Sequence, residues 1–202
     1  MFSYVIEFNL AQRGDDAQEF LADAARTWPK LWGNIPGVSG VLLLSSAFAL
    51  GGKFDYQLRV DLDSLSTLAR IDEALKSDDS EWVRARTDWF RSRVAARAHL
   101  SEHVAGNKAY AQGGAEGAVH LVLHAAPGEG KRTAEAANSV SGLVSAQTLR
   151  SVVGASVPHE RTWLRLQGLE SLDSVSSAGL DVSHGQLLGE LREVDGALFS
   201  GA

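Results

Sequence analysis

Two histidines and two arginines are the residues of this sequence best suited to acid–base chemistry. His120 and His124 are four residues apart in the apolar run VHLVLHA, so they share one face if that run is a β-strand. Arg59 and Arg165 occupy matching positions in two similar segments of the chain. A histidine has a pKa near neutral pH and can remove a proton from an activated carbon or a phenol. An arginine can bind the enolate or phenolate that results, so the four residues suit an aldol cyclisation, or a deprotonation before reaction with O₂.

The two similar segments indicate an internal repeat. Ser45–Leu65 (SSAFALGGKFDYQLRVDLDSL) and Ser151–Leu172 (SVVGASVPHERTWLRLQGLESL) align without a gap through their first parts, and the alignment places Arg59 on Arg165. Self-similarity of this kind predicts a folding unit that is used twice. An apolar strand precedes each segment at a similar distance, at Tyr4–Leu10 and Val119–Ala125.

Each half of the chain has the element order β-α-β-β-α-β, which is the ferredoxin-like split unit. Such a unit covers one sheet face with helices and must bury the other face. We therefore predict an α+β fold in which two tandem ferredoxin-like units pack sheet to sheet as an intrachain α/β barrel with a space in the middle. The predicted parts are a first unit at 1–105, a linker at 106–117 and a second unit at 118–202. Within the second unit, Ser174–Val194 is predicted to be partly helical and Ala197–Phe199 to form a short last strand.

The alternation of apolar and polar residues predicts which side chains face the lumen of this barrel. Val119, Leu121 and Leu123 would meet helices, so His120 and His124 would point inward. One histidine is predicted to be the catalytic base and one of the inward-facing arginines to hold the anion. The remaining inward-facing side chains are predicted to contact the substrate. Together with the histidines, the predicted lumen set is Glu7, Asn9, Gln57, Arg59, Trp163 and Arg165.

Structural roles remain open for the same residues. The two histidines could be polar residues on a sheet edge or hydrogen-bonded core residues, and Arg59 and Arg165 could form ion pairs with Glu7, Asp61 or Glu160. A metal site at the histidines is disfavoured, since residues four apart on a strand are about 13 Å apart at roughly 3.3 Å per residue. The helical spacing of Trp82 and Trp89 predicts that both pack in the core rather than in a ligand pocket.

The segments Trp28–Gly40 (WPKLWGNIPGVSG) and Phe54–Leu65, with the helix after it, resemble the dimeric α/β barrel superfamily. That superfamily includes antibiotic-biosynthesis monooxygenases that work without a cofactor, aromatic polyketide cyclases, haem oxygenases and chlorite dismutases. The resemblance implies a cyclase or cofactor-independent monooxygenase acting on an aromatic or polyketide-like small molecule. It also implies a pocket asparagine and tryptophan, for which Asn34 with Trp28 or Trp32 have the right residue types.

The chlorite-dismutase-like members of that superfamily imply an alternative, a haem-binding oxygenase. In this sequence His184 or His159 would be the residue available to ligate the haem. A third hypothesis, from a different class, is a non-catalytic ligand-binding protein.

Composition limits the partners of the 202-residue chain. Its formal net charge is −6 and it has no run of lysines or arginines, which argues against nucleic acid or an anionic membrane surface. It contains no cysteine, and no apolar stretch approaches the roughly 20 residues that span a bilayer. We expect a cytoplasmic protein that binds a small, largely apolar molecule, and an exposed sheet edge could support a homodimer.

Overall fold

The computed structural model describes residues 1–49, 52–106, 110, 118–154, 159–194 and 197–200. The described first half consists of β1 Phe2–Leu10, α1 Asp15–Gly33, β2 Val38–Ser46, β3 Tyr56–Leu62, α2 Thr67–Lys76, α3 Ser80–Ser92 and β4 Arg93–Gly106. The described second half consists of β5 Val119–Ala125, α4 Gly130–Ala137, β6 Leu143–Val153, β7 Glu160–Leu166, α5 Leu172–Ser177, β8 Gln186–Val194 and β9 Ala197–Ser200. Single 3₁₀ turns lie at Ala47–Ala49 and Leu169–Ser171.

Eight of the strands form a closed antiparallel barrel. Their order is β2-β3-β1-β4-β6-β7-β5-β8, and β8 pairs with β2 to complete the ring. Each half contributes four neighbouring strands, joined by hydrogen bonds between β4 and β6 and between β2 and β8. The predicted α+β fold of two tandem ferredoxin-like units is confirmed, with the sheets joined along both edges as well as facing each other.

The end of the second unit differs from the predicted pattern. The helical part is limited to α5, and Gln186–Val194, which the sequence places in a partly helical segment, is the barrel strand β8. Leu187 packs in the helix-facing core and Leu188 in the barrel interior. A strand buried on both faces loses the alternation that reveals strands in a sequence. The predicted last strand at Ala197–Phe199 is β9, which forms a hairpin with β8 outside the ring.

The helices of the first half lie on the outer face of the barrel. α1 begins at Asp15 and Asp16, whose charges suit a helix N-terminus, and it buries its apolar side against the sheet. α3 begins after Asp79, whose carboxylate accepts hydrogen bonds from the backbone N–H groups of Glu81 and Trp82. This cap fixes the start of the helix that carries Trp82 and Trp89. In the described part of the chain, no helix has the length and apolar character needed to cross a membrane.

Candidate functional site

Side chains fill the middle of the barrel. The Arg59 guanidinium lies against two rings, with its central carbon 4.4 Å from the ring centroid of Tyr110 and 4.7 Å from that of Trp163. All three side chains are fully buried. The predicted space in the middle is therefore occupied in this structure. Apolar residues complete this interior cluster: Leu42, Leu44, Val122, Leu149 and Leu188.

Tyr110 belongs to the predicted linker 106–117, of which the structure describes residues 106 and 110. Its hydroxyl lies 2.8 Å from Nδ1 of His120, and Nε2 of His120 lies 2.8 Å from Oε1 of Glu190. A carboxylate only accepts, so Nε2 carries the proton and Nδ1 accepts from the tyrosine. Burial lowers the pKa of His120 and keeps the ring neutral. The predicted base is thus fully enclosed, with both nitrogens bonded within the protein.

Carboxylates of the protein already pair with the two predicted anion-binding arginines. Arg59 Nε lies 3.0 Å from Asp61 Oδ1, and Arg165 Nη2 lies 2.9 Å from Glu190 Oε1. Burial opposes ionisation of Glu190, but its hydrogen bond with His120 and its bond with Arg192 outweigh it and lower the pKa of Glu190. The ion pair of Arg59 with Asp61 is one of the structural alternatives that the sequence leaves open.

Other predicted lumen residues lie near one end of the barrel. Gln57 donates a hydrogen bond to Gln186 at 2.9 Å, and Asn9 holds the segment before β3 by accepting from the Asp55 N–H at 2.8 Å. Glu7 pairs with Arg97. His124 shares a strand face with His120 but is exposed, so the two histidines do not meet in one pocket.

The tryptophan and asparagine implied by the resemblance lie outside the barrel interior. Trp32 packs in the helix-facing core, with its ring centroid 5.6 Å from that of Trp82. Asn34 is exposed at the end of α1. Their contact with a substrate remains a prediction. Trp28 and Trp32 both border the aromatic cavity on this side of the sheet, whereas Asn34 does not.

This cavity, which we call the aromatic pocket, lies between the outer face of β1 and β3 and the three helices of the first half. Its volume is about 210 Å³. Trp28 and Trp89 meet edge to face across it at 5.8 Å. The helical spacing of Trp82 and Trp89 predicts that they pack in the core, and both lie in the helix-facing core. The cavity remains because α2 and α3 do not fill the space over the sheet. The lining residues are Tyr4, Ile6, Trp28, Trp32, Leu58, Leu75, Trp82, Ala85, Arg86, Trp89 and Phe90.

Arg86 supplies the cationic group of the aromatic pocket. Its Nη1 donates to the carbonyl oxygens of Leu75 and Ser77 at the end of α2, which fixes the guanidinium. Its Nε and Nη2 make no hydrogen bond with the described residues. Burial raises the pKa of Tyr4, so its hydroxyl stays protonated at neutral pH. The pocket thus combines a large aromatic surface with a fixed guanidinium and a neutral hydroxyl.

The residues present do not fit a haem in the aromatic pocket. A haem needs an axial ligand beside its cavity, and no histidine is among the described residues that line this one. Its volume of about 210 Å³ is below the roughly 300–1,000 Å³ of pockets for drug-sized ligands. The two histidines considered for haem, His159 and His184, lie beside His124 at the end of the barrel. Among the described residues, no group of three or more His, Asp or Glu side chains could hold a metal ion.

Solved structures with the same fold cover nearly the whole chain. An anthrone oxidase-like protein has a TM-score of 0.56 and 10% identity, covering 100% of this chain and 96% of its own. A candidate monooxygenase from Lactobacillus acidophilus has a TM-score of 0.55 and 10% identity, with 98% of each chain covered. Chlorite dismutase from Candidatus Nitrospira defluvii has a TM-score of 0.53 and 12% identity, covering 94% of this chain and 90% of its own.

The comparisons confirm the ferredoxin-like fold over both halves of the chain. No protein-family model matches the sequence, and no curated protein matches it significantly. The similarity is therefore one of fold.

Proposed function

We propose that this protein is an enzyme that oxidises a compact aromatic molecule bound in the aromatic pocket, as a monooxygenase without a cofactor. The observation that carries the proposal is a concave aromatic cavity with a fixed guanidinium on its wall. An apolar, aromatic lining with a few fixed polar groups is the usual character of a ligand site. Solved structures of the same fold described as anthrone oxidase-like and as a candidate monooxygenase support the reaction class.

The size and lining of the pocket indicate the class of substrate. A closed apolar cavity of about 150 Å³ binds benzene, so a cavity of about 210 Å³ suits one or two fused rings. Indole side chains offer edge and face contacts to such rings. The substrate would enter between α1 and α3, where Phe90 is 61% exposed.

The same groups suit an oxidation that begins with a substrate anion. A phenol or enol that loses its proton can transfer electrons from its ring carbon to O₂. That carbon forms a C–O bond and loses its hydrogen, so the product is a quinone-type carbonyl, and the second oxygen atom leaves as water with the two hydrogens that the substrate has lost. Arg86 would stabilise the anion, and the Tyr4 hydroxyl can donate to its oxygen. Exclusion of water by the indoles strengthens both interactions. The described lining has no carboxylate or imidazole, so the substrate must itself be acidic, as a phenol conjugated to a carbonyl is.

Oxygen consumption with hydroxynaphthoquinols, which have two fused rings, tests the proposal. We expect Arg86→Gln to lower kcat/KM for an ionising substrate roughly a hundredfold, the usual scale for loss of an oxyanion donor. Quenching of tryptophan fluorescence by neutral naphthalene should be nearly unchanged in that variant. Arg84→Gln, an exposed arginine of the same helix outside the pocket, is the matched control. Absence of oxygen uptake and of quenching with every probe would refute the proposal.

A cyclase that uses the barrel interior is the second candidate, favoured by the bonded series Tyr110–His120–Glu190. A substrate could reach His120 only after Tyr110 leaves the interior, since both side chains are fully buried. The variants His120→Ala and His124→Ala, with the fold checked by circular dichroism, test it. Full turnover of a polyketide-like substrate in both variants would remove the assignment of a histidine base.

A further inference from the structure

A second cluster of ionisable side chains lies at one end of the barrel, on the opposite side of the sheet from the aromatic pocket. Glu7 lies in the last part of β1, and Arg97 and Arg161 lie in the first parts of β4 and β7. Arg97 Nε donates to Glu7 Oε2 at 2.9 Å, and Arg161 Nη1 lies 3.6 Å from Glu7 Oε1. Two guanidinium groups therefore surround one carboxylate, which leaves a net positive charge. We call these residues, with His99, the Glu7–Arg161 cluster.

The tautomer of His99 shows that a hydrogen-bond donor in this cluster lacks an acceptor. Arg161 Nη1 lies 2.9 Å from His99 Nε2. Because a guanidinium only donates, Nε2 of His99 accepts and the proton of the neutral ring is on Nδ1. That nitrogen lies 3.9 Å from Glu7 Oε2, too far for a hydrogen bond. Among the described residues, the buried Nδ1 of His99 has no hydrogen-bond partner.

A second buried donor in the cluster is in the same situation. Nε of Arg161 is buried without a hydrogen-bond partner in the described part of the chain. Arg161 is 9% exposed and His99 is 4% exposed. Buried polar groups in native proteins are nearly always hydrogen-bonded, so each of these donors calls for an acceptor from solution, a water molecule or an ion.

Two side chains beside the buried donors, Arg97 and His124, reach solvent at the barrel end, and the charge of the cluster suits an anion. Burial, together with the charges of Arg161 and Arg97, lowers the pKa of His99 to about 3, so the ring is an uncharged donor at neutral pH. Arg97 is half exposed and His124 is exposed. An anion can therefore approach from the barrel end. A cation would meet the two guanidinium groups instead.

We propose that the Glu7–Arg161 cluster binds a compact oxyanion, a carboxylate or a phosphate. Its oxygens would accept hydrogen bonds from Nδ1 of His99 and Nε of Arg161, and its charge would balance the second guanidinium. Charge-assisted hydrogen bonds of this type are the stronger ones in proteins. The site is separate from the aromatic pocket, so either proposal can fail without the other.

Titration of the full chain with sodium phosphate, and separately with sodium acetate, tests the proposal. Ionic strength is held constant with sodium chloride, and binding is followed at pH 7 by calorimetry and by the imidazole NMR signals of His99. We expect saturable binding at a single site. The chemical shifts of His99 should follow the same saturation curve as the heat of binding. The anion that binds more tightly identifies the class of ligand.

Variants distinguish a built site from general attraction to positive charge. Glu7→Gln removes the carboxylate that competes for both arginines, so we expect about tenfold tighter binding, a usual scale for one close charge. Arg161→Gln should abolish binding, and the half-exposed Arg97→Gln should weaken it if Arg161→Gln does not fold. The matched control is Arg132→Gln on α4, which should bind as the wild type does. A linear, unsaturable response that is the same in Glu7→Gln would show that water alone satisfies the donors, and would overturn the proposal.

Discussion

At the scale of single residues, the burial of His99 makes the stability of the fold depend on pH. An unfolded histidine takes up a proton near pH 6.5, whereas the folded ring of His99 remains neutral until about pH 3 because of its burial and the charges of Arg161 and Arg97. Between these values the unfolded state binds more protons. The free energy of unfolding therefore falls as the pH drops through this window, by about 1.4 kcal/mol per pH unit for one histidine.

We predict that His99→Gln reduces this loss of stability, since glutamine can accept from Arg161 but does not titrate. Urea unfolding at pH 7.5 and pH 5.0 in a phosphate-free buffer measures it. The exposed His184→Gln is the matched control and should lose as much stability as the wild type does. Equal pH dependence in the two variants would contradict the assignment of a neutral His99.

Tyr110 and His120 give a second prediction at this scale. Tyr110→Phe keeps the ring in contact with Arg59 and Trp163 but removes the donor to Nδ1 of His120. A buried hydrogen-bonding group left without its partner costs about 1–3 kcal/mol, and urea unfolding should show a loss of that size. Tyr56→Phe, at a half-buried tyrosine of β3, is the control and should cost little. Nitrogen NMR of the wild type should show the proton of His120 on Nε2.

At the scale of elements, the N-cap of α3 connects local stability with the aromatic pocket. Asp79 accepts hydrogen bonds from the N–H groups of Glu81 and Trp82, and α3 carries Arg86 and Trp89 into the pocket lining. We predict that Asp79→Ala lowers the free energy of unfolding by about 1 kcal/mol and weakens the binding of naphthalene. Asp78→Ala, one residue before the cap, should change neither property. If Asp79→Ala is destabilised but binds naphthalene as tightly as the wild type does, the shape of the pocket does not depend on the start of α3.

At the scale of the whole molecule, the barrel closes through strand pairs that neither half contains alone. Two glycines allow the close approach of β4 and β6. Gly106 has a φ of +93°, and a Cβ there would clash with the backbone oxygen of Ala146 on β6. Gly154 has a φ of +88°, and a Cβ there would lie 2.5 Å from the backbone oxygen of Ala98 on β4. At these two positions the seam between β4 and β6 has no room for a side chain.

We predict that Gly106→Ala destabilises the barrel by more than the cost of its backbone conformation. Gly128 has a φ of +90°, and a Cβ added there would meet nothing within 4 Å, so Gly128→Ala measures the conformational cost alone, about 1–2 kcal/mol. The additional loss in Gly106→Ala, from urea unfolding, reports the packing of the seam. Equal losses in the two variants would show that β4 and β6 separate readily.

The sequence alone determines the twin units and the faces of most strands. The alternation in VHLVLHA places Leu121 with the helices and His120 in the interior because side chains of a strand point to opposite sides in turn. The faint repeat likewise places Arg59 and Arg165 inside. These features are local, or repeat at a fixed separation, so they are visible in the chain itself. The strand β8 is not predicted in this way, because both of its faces are buried and its sequence does not alternate.

Only the tertiary structure decides which residues meet. Tyr110 enters the barrel from the predicted linker, and Glu190 reaches His120 from a strand 70 residues away. The aromatic pocket depends on how closely α3 approaches α1 over the sheet, which the helical spacing of the tryptophans leaves undetermined. Such contacts depend on closure of the barrel and on the docking of helices, and these are set by the packing of the whole molecule rather than by any single stretch of sequence.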